Sequence, residues 1–132
     1  MKRILVILVV IAIIIAGRGI MENKEPNTND TTYKKISAED AKVIMDSEDV
    51  IILDVRTQEE YNGGHIENAL LLPVTDIKDK ADGILTDKDA KILVYCRSGN
   101  RSAAASKELI SMGYTNVYDF GGISSWPYDL VK

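Results

Sequence analysis

Lys91-Ile92-Leu93-Val94-Tyr95-Cys96-Arg97-Ser98-Gly99-Asn100-Arg101-Ser102 is the stretch on which the reading of this chain turns. Residues 91–95 read as a buried strand, with an apolar run from Ile92 to Tyr95 of the kind found where both faces are covered. From Ser102 the pattern changes to a helix over 102–112, closed by Gly113 just past its last turn. Strand, short polar loop and helix in that order are the building unit of a parallel sheet with helices packed on it.

The unit recurs on either side. A short strand is expected at 34–36, then a helix at 38–45 with Ser37 as its N-cap and Asp40 as an approximate capping-box partner. Strand 50–55 follows, then a short helix at 58–61 that stops at Gly63-Gly64. Strand 69–72 ends at Pro73, and a helix is expected at 74–80 before a loop through Gly83. The last strand is 116–120. Alternating strands and helices predict an α/β fold, a mostly parallel sheet of about five strands flanked by helices on both faces. Ligand sites of such sheets lie beyond the carboxyl ends of the strands. Two polar clusters fall there: Asp54-Val55-Arg56, and the loop that begins at Cys96.

That loop carries the chemistry. Backbone amides entering a helix N-terminus are unpaired and form an anion cradle. Gly99 supplies the positive-φ freedom that a concave loop needs. Arg97 and Arg101 add positive charge, and Ser102 is placed to cap the helix. These features predict a Cys96 pKa below its ordinary value, with thiolate at neutral pH. A lone cysteine at a strand end is more often an inert, buried hydrophobe. Two arginines, a serine and a glycine beside it argue for the reactive reading.

These residues carry a family resemblance. The loop from Cys96 to Ser102 resembles the active-site loop of the rhodanese (thiosulfate sulfurtransferase) family. The stretch Leu53-Asp54-Val55-Arg56-Thr57-Gln58-Glu59-Glu60-Tyr61-Asn62-Gly63-Gly64-His65-Ile66-Glu67-Asn68-Ala69 is similar to that family's upstream signature. Gly121-Gly122-Ile123-Ser124-Ser125-Trp126 is similar to its carboxyl-terminal one. The resemblance implies a two-step sulfur transfer. Cys96 would take sulfane sulfur from a thiosulfate-like donor as a persulfide, then give it to a thiol or to cyanide, with a protein as a further candidate acceptor. Arg97, Ser98, Gly99, Asn100, Arg101 and Ser102 would bind the substrate anion. The C-x4-R spacing from Cys96 to Arg101 is one residue shorter than the C-x5-R loop of related phosphatases and arsenate reductases, and disfavours that activity. A non-catalytic sulfane-sulfur carrier would present the same loop and stays open as an alternative.

Four further residues support the site in this reading. Asp54 is a better hydrogen-bond acceptor for loop amides or an arginine than a catalytic base. Arg56 and Glu60, four apart, are expected to pair on the short helix. His65 reads as a turn-locking residue rather than a general base. Trp126 and Tyr128 are expected to close the core near the carboxyl end.

Composition sets the outer limits. The chain has 132 residues, 45% hydrophobic and 27% charged, with a net charge of −4, which suits one domain. The first 21 residues hold Lys2, Arg3, Arg18 and no acid, so of 16 basic and 20 acidic residues, 13 basic and all 20 acidic lie beyond them, a net of −7. That balance and an aromatic content of 6% argue against nucleic-acid binding. One cysteine and one histidine give no disulfide and no multi-ligand zinc site, and no cofactor is expected.

Residues 4–16 are an unbroken apolar run behind Lys2 and Arg3. It fits a signal peptide or an amino-terminal membrane anchor over 1–21, although it is short for a span of roughly 20 residues. Residues 22–32 are polar and read as a flexible linker, leaving 33–132 as the domain. An extracytoplasmic location, with membrane contact only through the amino-terminal segment, is the corresponding expectation.

Overall fold

The computed structural model describes residues 33–132. Its elements are β1 (Lys34–Lys35), α1 (Ala38–Ser47), β2 (Ile51–Asp54), α2 (Gln58–Asn62), β3 (Leu70–Leu71), a 3-10 turn at Val74–Asp76, α3 (Ile77–Ile84), β4 (Ile92–Cys96), α4 (Asn100–Ser111), β5 (Val117–Gly122) and a 3-10 turn at Ile123–Ser125. The strands form one five-stranded sheet in the order β1-β5-β4-β2-β3, and every pairing is parallel. The expected α/β architecture is therefore the observed one.

β4 lies at the centre, and all five of its residues are buried. Its side chains alternate between the two faces, as the pleat requires. Ile92, Val94 and Cys96 join a core built with Ile77 and Ala81 of α3 and Ala105 and Leu109 of α4. Leu93 and Tyr95 join the opposite core, with Ala41 of α1, Ile52, Ile66 and Phe120. Cys96 thus belongs to the α4 side, and Tyr95 to the α1 side. α4 presents Ser102, Ala105, Ser106 and Leu109 to the sheet.

Local chemistry accounts for the element ends, with a few shifts from expectation. Ser37 caps α1, its hydroxyl accepting from the Asp40 amide at 3.0 Å. The expected helix at 74–80 is a 3-10 turn followed by α3, which continues through Gly83 to Ile84. Ile77, Ala81 and Leu85 carry the buried face past the point where Gly83 suggested a loop, and an exposed glycine costs a helix only about 1 kcal/mol. α4 starts at Asn100, two residues before the expected Ser102, because the chain turns into the helix at Gly99.

The expectation of a membrane anchor, and with it membrane contact and an extracytoplasmic location, is corrected here. Among the described residues no helix is long and apolar enough to cross a membrane. α4, with 12 residues, spans about 18 Å at the helical rise, against roughly 30 Å of hydrocarbon. Residues 1–21 and 22–32, to which the anchor and the linker were assigned, lie outside the described residues.

A polar network is built into the sheet beside the apolar cores. Asp54 and Tyr95 stand opposite each other in the β2–β4 register. The Tyr95 hydroxyl donates to Asp54 Oδ2 at 2.7 Å and accepts from the Ile66 amide at 3.1 Å. Replacing the hydroxyl by hydrogen strips one bond from a buried carboxylate and leaves a buried amide unpaired. Tyr95→Phe is expected to lose about 1–3 kcal/mol, read as a lower urea midpoint with unchanged m-value.

Candidate functional site

At the carboxyl end of β4 the chain passes from Cys96 through exposed Arg97 and Ser98, turns at Gly99 with φ 105°, and enters α4. Only glycine adopts that φ without steric cost. The turn folds the loop back over its own start, so the Gly99 N–H donates to Cys96 Sγ at 3.0 Å. The amides of Ser98 and Ser102 contribute to the electrostatics of the sulfur. Burial by itself pushes the Cys96 thiol up. The Ser102 hydroxyl and the amides of Ser102, Gly99 and Ser98 outweigh it, and the net shift is downward. Solvating dipoles here come from the protein rather than from water.

Ser102 is not the helix cap that its position suggested. It is the third residue of α4, fully buried, with its hydroxyl 3.0 Å from the Gly99 carbonyl and 3.4 Å from the Gly121 carbonyl. A single hydroxyl proton serves one acceptor at a time. The same hydroxyl is among the groups that lower the Cys96 pKa. Asn100 is exposed at the first position of α4.

The two loop arginines take different positions. Arg101 is held by Glu60 in a two-pronged pair, Nη1 to Oε1 at 2.7 Å and Nη2 to Oε2 at 2.9 Å. The same Glu60 closes a capping box with Thr57 at the start of α2. Its carboxyl is lowered from 4.5 to about 2, chiefly by the Arg101 hydrogen bonds. Arg97 is exposed and makes no ion pair among the described residues.

Arg56 does not pair with Glu60, contrary to the spacing on the short helix. It precedes α2 and turns inward, with Nε and Nη2 on the Asp54 carboxylate at 2.7–3.1 Å and Nη2 also on the Gly64 carbonyl at 2.8 Å. The Asp54 carboxylate offers the guanidinium a charge-assisted, two-pronged pair, while the part-buried Glu60 is engaged by Arg101. Asp54 therefore serves Arg56 and Tyr95, and the loop amides serve the sulfur. His65 stacks on Tyr61 with ring centroids 3.7 Å apart, its Nδ1 is 2.9 Å from the Tyr61 carbonyl, and its backbone exchanges two 2.8 Å bonds with Val131. Trp126 sits between Phe120 and Tyr128 in an aromatic row.

Gly122 and Ser124, within the carboxyl-terminal Gly121–Trp126 stretch, have roles that local sequence does not show. In the structure β5 ends directly under the cysteine loop, with Cys96 in register with Gly122. A β-carbon on Gly122 would stand 2.1 Å from the Arg97 carbonyl oxygen. Ser124 donates to that same oxygen from its amide at 3.3 Å and its hydroxyl at 3.0 Å. The adjacent glycines at 121 and 122 were the available signal, as was the Thr57-x-x-Glu60 spacing for the box that holds Arg101.

A family model described as the rhodanese-like domain matches residues 37–128. The thiosulfate sulfurtransferase GlpE of Coxiella burnetii is 35% identical over 95 residues, covering 71% of this chain and 87% of that protein. Among solved structures, a rhodanese-related protein from Thermoplasma volcanium superposes with a TM-score of 0.65 at 34% identity, covering 75% of this chain and 98% of that one. A rhodanese from Escherichia coli, solved with anions, gives a TM-score of 0.60 at 32% identity over 64% of this chain and 99% of that one.

Gly122→Ala forces the loop backbone away from β5. It is expected to cost about 1–3 kcal/mol through overpacking and to raise the Cys96 pKa toward its ordinary value. Each unit of that rise removes about tenfold of the thiolate below the pKa, so alkylation by iodoacetamide at neutral pH slows. The Glu60 pair is tested by acid. Because its carboxyl titrates lower when folded, the pair stabilises the fold fully above about pH 4.5, and that contribution is lost as pH falls toward about 2. Urea midpoints measured down through this range are expected to fall less steeply in Glu60→Gln than in the parent.

Proposed function

The chain belongs to the rhodanese-like domain family, and on that premise we propose that it is a sulfurtransferase in which Cys96 carries sulfane sulfur as a persulfide. Residues 33–132 are its sulfur-transfer domain. The observation that carries the reading is the Gly99 amide 3.0 Å from a buried sulfur whose thiol is shifted toward the thiolate. A nucleophile of this kind needs a cradle that tolerates negative charge before and after reaction.

In the first step the Cys96 thiolate attacks the outer sulfur of thiosulfate. A new S–S bond forms, the bond to the sulfonate sulfur breaks, and sulfite leaves with that electron pair. The amides of Ser98, Gly99 and Ser102 then hold the anionic terminal sulfur, as they held the thiolate. Arg97, exposed at the mouth, receives the sulfonate oxygens of the incoming donor. Arg101 keeps the entry to α4 positioned through Glu60. In the second step a thiolate or cyanide attacks the terminal sulfur, and the electron pair of the broken S–S bond returns to Cys96. The cycle is ping-pong. GlpE of Coxiella burnetii, by its name a thiosulfate sulfurtransferase, supports thiosulfate as the donor.

Intact-mass spectrometry of the protein incubated with thiosulfate is expected to show a gain of one sulfur, about 32 Da, reversed by cyanide and absent in Cys96→Ala. No gain from thiosulfate or another sulfane donor would defeat the proposal.

A further inference from the structure

Beside the cysteine loop, at Arg97, lies a cleft of about 260 Å³. Its charged members largely cancel. Arg56 is taken by Asp54 and Glu60 by Arg101. Arg97 and Glu59 remain, one of each sign, and neither makes an ion pair among the described residues. The rest of the wall is Ile123, Leu130 and the Gly63-Gly64 turn.

Leu130 is set there by backbone bonds. His65 and Val131 exchange N–H···O bonds at 2.8 Å in each direction, an isolated antiparallel bridge that ties the carboxyl-terminal segment to the α2–β3 connection. That bridge lays the Leu130 side chain over Gly64, with Cδ1 3.6 Å from where a β-carbon would stand. Leu130 is nevertheless 45% exposed, so its apolar surface is still available to a bound molecule.

We infer that the sulfur acceptor is an uncharged organic thiol whose apolar stem packs against Leu130 and Ile123 in this cleft. The inference rests on the persulfide reading and names the acceptor class for the same site. A stem without charge suits a rim of one cation and one anion. Volume points the same way. At about 260 Å³ the cleft is much larger than cyanide, which would leave most of it filled with solvent. The acceptor's thiolate attacks the terminal persulfide sulfur, giving an organic persulfide and the free Cys96 thiolate, with no oxidant or reductant required.

The test is a homologous series of acceptors on the full-length protein, with thiosulfate as donor. Ethanethiol, propanethiol and butanethiol are compared at equal thiolate concentration, with 2-mercaptoethanol as the polar counterpart of propanethiol. Persulfide formation is followed separately by mass. The expected result is a rise in kcat/KM of about two- to fourfold per methylene, with propanethiol preferred over 2-mercaptoethanol. In Leu130→Ser the slope falls toward one, and in Leu130→Phe it is retained. Because slopes are compared within each protein, a general loss of activity does not imitate the effect. A persulfide that forms normally with a flat series in the parent overturns the acceptor class and leaves the sulfurtransferase reading standing. A slope unchanged in Leu130→Ser overturns the role of Leu130. Absence of the persulfide overturns both readings.

Discussion

A sulfur atom with no exposed surface carries negative charge only where fixed dipoles replace the water it has lost. Cys96 is such an atom, and the junction of β4 with α4 is built around that requirement. The left-handed turn at Gly99 brings one amide directly to the sulfur and starts the helix early enough for Ser102 to lie within reach. The helix N-terminus adds its positive end at the same place. These contributions outweigh the opposing effect of burial. The arginines that stand out in the sequence are not the main source of the shift, which comes from the Ser102 hydroxyl and the amides of Ser102, Gly99 and Ser98.

A cradle made of backbone is only as good as the backbone's position, and the neighbouring segments hold it from two sides. Below, Gly122 allows β5 to press against the Arg97 carbonyl, and Ser124 donates two bonds to that oxygen. At the helix end, Glu60 joins the capping box of α2 to Arg101. One carboxylate therefore fixes the start of one helix and the first turn of another. Beneath the strand ends, Asp54 gathers Arg56 and Tyr95, and Arg56 reaches on to Gly64. Each buried charge in this layer has a partner, as low-dielectric surroundings demand.

The apolar part of the mouth is assembled from segments far apart in the chain. Gly64 leaves room, the His65–Val131 bridge sets the height of the tail, and Leu130 fills the edge. His65 contributes through its backbone and through stacking on Tyr61, which holds the turn.

Much of this architecture was legible in the residues. The apolar runs at 92–95 and 50–55 mark strands covered on both faces, because short stretches rich in Val, Ile and Leu between polar turns suit the interior of a parallel sheet. The cysteine between a strand and a helix, with a glycine three residues on, marks an amide cradle from local pattern as well. What the spacing could not decide was which opposite charges meet. Arg56 and Glu60 are correctly spaced for a helical pair, yet Arg56 lies ahead of α2 and is drawn to a buried carboxylate, while Glu60 crosses to Arg101, 41 residues away in sequence. The close approach of Gly122 to Arg97 is likewise absent from any local pattern, since it arises from the β4–β5 register. Local geometry is written in neighbouring residues. The partners of long, flexible charged side chains, and the distances between backbones packed from different segments, are decided only when the sheet has brought those segments together.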